Sequence, residues 1–233
     1  VARPAAVFFD VDFTLIYPGP RFEGSGYAAT CQAHGVAVDP ARFAEAAAAA
    51  TPLLDSADQI YTHALFVAFT RRIIEGMGGS GPGVESAAKE IYEDWAEHRH
   101  FSLYPDVRPA LRELQASGVR LGLISNSHRC LSTFAGHFGL DGLIAATVSS
   151  AEHGYLKPHP RIFQAALDQL HVAPADAVMV GDSLGHDILG ARQVGMRAIL
   201  LARGHRPAGV PADVATIGSL AELARILSGE RAA

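Results

Sequence analysis

Two carboxylates spaced two apart close the first apolar run of the chain, Val7 to Ile16, VFFDVDFTLI. Side chains at i and i+2 of an extended segment leave by the same face, so Asp10 and Asp12 can address one reacting centre from a shared side. Carboxylates so placed are suited to nucleophilic attack, to proton transfer or to holding a hard cation. An isolated DxD is more often a strand end with one acid capping a turn. Three later stretches shift that balance. LGLISNS (Leu121 to Ser127) is an apolar run ending in hydroxyl and amide side chains, GYLKPHP (Gly154 to Pro160) sets Lys157 just before a turn-forming proline, and VMVGDSLGHD (Val178 to Asp187) ends in Gly-Asp with a second acid five residues beyond Asp182.

The elements that must position these groups are legible in the spacing. Val7, Phe8, Phe9 and Val11 read as a strand buried on both faces. From Leu103 onward strands and helices alternate: helix Val107 to Ser117, strand Arg120 to Ser125, helix Arg129 to Phe138, strand Leu143 to Ser149, helix Pro160 to His171 and strand Ala177 to Gly181. Helix Asp187 to Val194, strand Ala198 to Ala202, a short strand near Val214 to Ile217 and helix Leu220 to Ser228 follow. Such alternation predicts βαβ units: an α/β fold with a Rossmann-like parallel sheet and helices on both faces. Ligands of such sheets bind outside the carboxyl ends of the strands, where Asp10, Ser125 and Asp182 all fall. Between Phe22 and Phe101 the pattern is instead helical, with segments Tyr27 to His34, Asp39-Pro40 opening an alanine-rich helix through Ala50, Gln59 to Ile74 and Val84 to Arg99. The turn cluster Tyr17 to Pro20 starts this second module, a bundle of about four helices.

In order and spacing the four stretches resemble the four motifs of the haloacid dehalogenase superfamily, whose members are mostly phosphatases. The resemblance covers the N-terminal strand and the chain from Leu103 onward; the segment between is unmatched. It implies a catalytic core of residues 1–15 and 103–233 and an inserted α-helical cap of residues 16–102. It also implies an aspartyl-phosphate mechanism in which Asp10 is the nucleophile and Asp12 the general acid and then the general base. Ser125 and the backbone N–H of Asn126 would bind phosphate, and Lys157 would offset phosphate and aspartates together. Asp10, the backbone carbonyl of Asp12, and Asp182 would be metal ligands, with Asp187 a ligand or a partner of one. Four converging carboxylates repel by roughly 4 kcal/mol per pair at ~4 Å and an effective dielectric near ~20, so a cation is required. Oxygen ligands beside a phosphate favour Mg²⁺.

Dehalogenating relatives lack an acid at the position of Asp12, so the resemblance points to a phosphatase acting on a small phosphomonoester. The alternatives are a phosphosugar mutase of the same superfamily and a catalytically silent regulator that binds a phosphorylated metabolite. Thr14 corresponds to the threonine that braces the first loop. Phe13 stands where glycine is usual, which bears on how closely a substrate can approach.

The remaining composition excludes other classes. With 233 residues and 49% hydrophobic content the chain can bury one good core and a small module, but not two full-size domains. A net charge of −5 without a Lys/Arg cluster argues against nucleic acid or an anionic membrane as partner. No run approaches the ~18 apolar residues of a membrane span, and no signal peptide is expected. Cys31 and Cys130 lie far apart without CxxC spacing, which fits a cytoplasmic protein with neither disulfide framework nor zinc site. The glycine-rich GMGGSGPG (Gly76 to Gly83) follows a helical pattern rather than a strand, so it reads as a loop and not as a dinucleotide fingerprint.

Overall fold

The structure is a computed structural model that describes residues 3–55, 58–204 and 208–228. The outermost residues of the range read as core, and residues 205–207, lie outside these. The chain divides into two compact units, residues 1–17 with 103–233 and residues 18–102. Strand β1 (Ala6–Phe9) is wholly buried, and a tight loop leads from it to the short strand β2 (Ile16–Pro18), where the chain leaves the first unit.

The second unit is helical: α1 (Gly24–Ala33), α2 (Phe43–Ala50), α3 (His63–Gly76) and α4 (Gly83–Asp94). Asp39 accepts a hydrogen bond from the Ala41 N–H and starts a single 3₁₀ turn ahead of the alanine-rich α2. The predicted helix from Gln59 begins instead at His63, because Thr62 caps it by accepting from the Leu65 N–H, while Gln59 takes a left-handed φ of 50°. The predicted helix through Arg99 stops at Asp94, and the chain turns so that Trp95 and Phe101 gather round Phe22, with ring centroids 4.5 and 5.2 Å from it. Arg21 braces this unit by donating to Asp94 and Glu90, and His34 pairs with Glu90 as well. The glycine-rich stretch joins α3 to α4, as a loop should.

The chain returns through β3 (Phe101–Leu103) and then alternates: α5 (Val107–Ala116), β4 (Arg120–Ser125), α6 (Leu131–Phe138), β5 (Ile144–Ser149), α7 (Ser150–His153), α8 (Pro160–Leu170) and β6 (Ala177–Gly181). A wide π-helical turn, Leu184–Leu189, runs into α9 (Gly190–Gln193), followed by β7 (Arg197–Leu201), β8 (Ala215–Ile217) and α10 (Leu223–Leu227). Six strands form one parallel sheet in the order β5-β4-β1-β6-β7-β8. Ala6 and Phe8 pack with Ile162, Phe163 and Ala166 of α8 on one face. Val7 and Phe9 point the other way and are equally buried, so helices cover both faces, as the unbroken apolar run requires. Gly122 is fixed by this packing, since a Cβ there would stand 2.6 Å from the Phe8 ring.

Candidate active site

β1 lies between β4 and β6, so the residues at their carboxyl ends are neighbours. The Asp10 N–H donates to the Val180 carbonyl at 2.9 Å, which ties the exit of β1 to β6. Beyond it the chain closes on itself: the Phe13 N–H donates to the Ile16 carbonyl and the Leu15 N–H to the Val11 carbonyl, at 2.7 and 2.8 Å. Asp187 arrives from the π-helical turn, not from a regular helix as its sequence suggested. A Cβ at Gly181 would fall inside the Asp187 carboxylate, so the GD pair ending β6 needs its glycine for that carboxylate to come in. Ser183 holds the turn from both sides, accepting from the His186 N–H at 3.2 Å and donating its own N–H to Asp187 at 3.0 Å.

Oxygens of Asp10, Asp182 and Asp187 come within 4.8 Å of one another. Lys157, 2% exposed, sits among them: its Nζ donates to Asp10 at 2.6 Å, to Asp187 at 2.7 Å and to the Ile124 carbonyl at 2.8 Å. All three ammonium donors are thereby used. Burial lifts the Asp10 carboxyl well above the usual range, and repulsion from Asp187 and Asp182 adds to this against the pull of Lys157. Burial, followed by repulsion from Asp187, pushes Asp182 up to about 7. Burial alone would lower Lys157; the attraction of Asp10 and Asp187 prevails and raises it. A buried group of oxygen donors with too little positive charge is chemically suited to a hard cation, and these residues could hold a metal ion.

Arg129 joins the site from outside the four motifs. It is 0% exposed, and its Nη1 lies 3.0 Å from both carboxylate oxygens of Asp12. The predicted helix start at Arg129 moves to Leu131 because Cys130 is extended, so Arg129 belongs to the loop after β4. Its signal in the sequence was its place four residues beyond Ser125, in a loop already marked as functional. With it the site holds four aspartates against two cations, a formal deficit of two charges that one divalent ion would close.

The other expected residues lie nearby. Ser125 is 1% exposed and donates to the Ser127 hydroxyl at 3.0 Å. The Asn126 side chain clamps the Lys157 backbone, accepting its N–H at 2.7 Å and donating to its carbonyl at 3.0 Å. That use of the side chain is separate from the role expected of the backbone N–H of Asn126. Thr14 does not brace the loop through its hydroxyl, which has no hydrogen-bond partner among the described residues. The bracing falls to its carbonyl, which accepts from Arg203 at 3.0 Å. Phe13 takes a φ of 63°, the left-handed region that favours glycine, with its ring half exposed. Among the histidines, His159 spends its Nδ1 on the Arg161 N–H and stacks on Tyr155 at 4.1 Å.

A parallel sheet carries three acids and a buried lysine at its carboxyl edge, and comparison with known proteins gives the family. A family model described as haloacid dehalogenase-like hydrolase matches residues 4–195, and the chain belongs to that family. It is 32% identical to a ribulose-1,5-bisphosphate 5-phosphatase of Halopiger xanaduensis over 202 residues, 84% of this chain and 83% of that one. It is 35% identical to a phosphoserine phosphatase of Thermus thermophilus over 144 residues, which cover 59% of this chain and span about half, 54%, of that relative. Among solved structures, a HAD phosphatase from Thermococcus onnurineus superposes with a TM-score of 0.69 at 28% identity, covering 97% of this chain and 99% of its own. No helix among the described residues is long and apolar enough to cross a membrane.

Proposed function

We propose that the protein is a Mg²⁺-dependent phosphatase that hydrolyses a small phosphomonoester through an aspartyl-phosphate. The observation that carries this reading is the buried Lys157 bridging Asp10 and Asp187 beside Asp182, a cation set against the expected nucleophile. Asp10 attacks phosphorus; the new bond to its carboxylate oxygen forms as the bond to the departing alcohol breaks, and Asp12 gives that alcohol its proton. Asp12 then takes a proton from water as the water oxygen bonds to phosphorus and the acyl phosphate breaks, which returns Asp10 as carboxylate and releases phosphate. Ser125, the Asn126 N–H and the Lys157 ammonium stabilise charge on the phosphoryl oxygens. The carboxylates of Asp10, Asp182 and Asp187 and the carbonyl of Asp12 would hold Mg²⁺, whose chemistry here is to offset the negative charge of carboxylates and phosphate.

Named phosphatases among the relatives support this reading and make a small phosphorylated metabolite the substrate class. A cytoplasmic setting fits the two cysteines, both free thiols, one buried and one exposed. The test is phosphate release from a panel of phosphorylated metabolites, with Mg²⁺ and with chelator. Release that needs the metal is expected; turnover undiminished in chelator, or none from any substrate, would overturn the proposal. Isomerisation of a hexose 1-phosphate without phosphate release would assign the protein to the mutases.

A further inference from the structure

Arg129 is a charged side chain with no access to solvent, and burying a cation costs several kcal/mol unless its site compensates it. It pairs with Asp12, the acid/base of the proposed reaction. One nitrogen, Nη1, stands 3.0 Å from each carboxylate oxygen, so the contact fixes the plane of the carboxylate as well as its position. Backbone bonds set the course of the loop around Asp12, but they leave its side-chain torsions free. Arg129 also comes from the loop that carries Ser125 and Asn126, and Asn126 in turn clamps Lys157. Residues 125–129 thereby hold the phosphate donor, the lysine and the acid/base in one register.

We propose that Arg129 is the positioning residue of Asp12, holding its carboxylate in the orientation that serves first the leaving oxygen and then the attacking water. The inference rests on the phosphatase reading above. It requires that Arg129 act on turnover through Asp12 alone. Its loss should therefore slow the two proton-transfer steps while leaving substrate binding nearly intact.

Pre-steady-state kinetics with p-nitrophenyl phosphate tests this, using wild type, Arg129→Gln, Arg129→Lys, Asp12→Asn and the double variant Asp12→Asn with Arg129→Gln. Nitrophenolate leaves without a proton, so phosphorylation of Asp10 should persist in Arg129→Gln. Hydrolysis of the intermediate should slow by ~10-fold or more, part of the ~10²–10⁴ that general-base catalysis contributes. A nitrophenolate burst should appear, with KM falling in step with kcat and kcat/KM little changed. Arg129→Lys keeps the charge without the planar guanidinium, and its rate should fall between wild type and Arg129→Gln. The double variant should be no slower than Asp12→Asn. If Arg129→Gln does not fold, Asp12→Asn with Arg129→Met removes both buried charges together and supplies the same comparison. A further loss in the double variant equal to that of Arg129→Gln in wild type would overturn the proposal, as would wild-type kinetics in Arg129→Gln. Either result would leave the phosphatase reading standing, whereas a wild type that releases no nitrophenolate would sink both.

Discussion

Lys157 and Asp10 lie 147 residues apart in the chain, yet the lysine ammonium stands 2.6 Å from a carboxylate oxygen of Asp10 with both side chains almost fully enclosed. The expectation from sequence was that Lys157 serves bound phosphate and could be removed without harm to the fold. Its three buried hydrogen bonds tie it to the fold as well. Lys157→Ala should abolish most turnover and also destabilise the metal-free protein by ~3–5 kcal/mol, because Asp10 and Asp187 are left facing one another without their cation. Urea denaturation with and without Mg²⁺ checks this: the deficit should shrink when the ion is present, and wild-type stability in chelator would refute the bridging role.

Asp12→Asn removes the proposed acid/base while keeping its size and its carbonyl. An alkyl phosphate should then turn over ~10²–10⁴-fold more slowly. With p-nitrophenyl phosphate, attack by Asp10 still proceeds and the water lacks its base, so a burst and an accumulating phosphoenzyme are expected. Intact-protein mass spectrometry after acid quench should find one added phosphoryl group, absent in Asp10→Asn; its persistence there would remove Asp10 as nucleophile.

Phe13 occupies backbone that costs an L-residue roughly 1–2 kcal/mol, and its ring is 46% exposed. Phe13→Gly should therefore leave stability unchanged or raise it by up to ~1 kcal/mol, since glycine forfeits part of the gain through its freer unfolded chain. Phe13→Val, β-branched at a positive φ, should lower it. Thermal denaturation ranks the three, and a glycine variant clearly below wild type would mean that the ring's packing outweighs the backbone strain.

Asp106 anchors the loop that holds Thr14. Arg203 donates to both its oxygens at 2.9 and 3.0 Å, and the Ser219 hydroxyl and Leu220 N–H donate to it at 2.7 and 2.9 Å. Partial burial alone would raise its carboxyl; the hydrogen bonds from Arg203, Ser219 and Leu220 win and hold it below the usual range. A carboxyl depressed on folding contributes stability above its unfolded pKa, near ~3.9, and loses it as pH falls through the folded value. Asp106→Asn should cost ~1–3 kcal/mol at neutral pH, and the gap to wild type should close below about pH 4. A gap that stays constant down to about pH 2 would mean that the charge of Asp106 contributes nothing.

The sheet and its active edge were legible because their signals are local. Apolar runs of strand length ending in Asp10, Ser125 and Asp182, each followed by helical periodicity, determine parallel pairing and place those ends together. Glycine at 181 belonged to the same pattern, although its reason, room for Asp187, is spatial. The helix ends were less legible: Thr62 and the extended Cys130 reset two of them, because capping and the packing around Phe22 override periodicity. Which charges meet depends instead on the folded arrangement of the strands. Its place just beyond Ser125 is the only local mark that Arg129 carries, and its pairing with Asp12, 117 residues away, exists because β4 and β1 are adjacent strands. Lys157 was marked by its motif, but that it bridges two acids follows only once the fold sets Asp10 and Asp187 on either side of it. Local pattern specifies the backbone that delivers a side chain, whereas the partner it finds depends on contacts between distant segments.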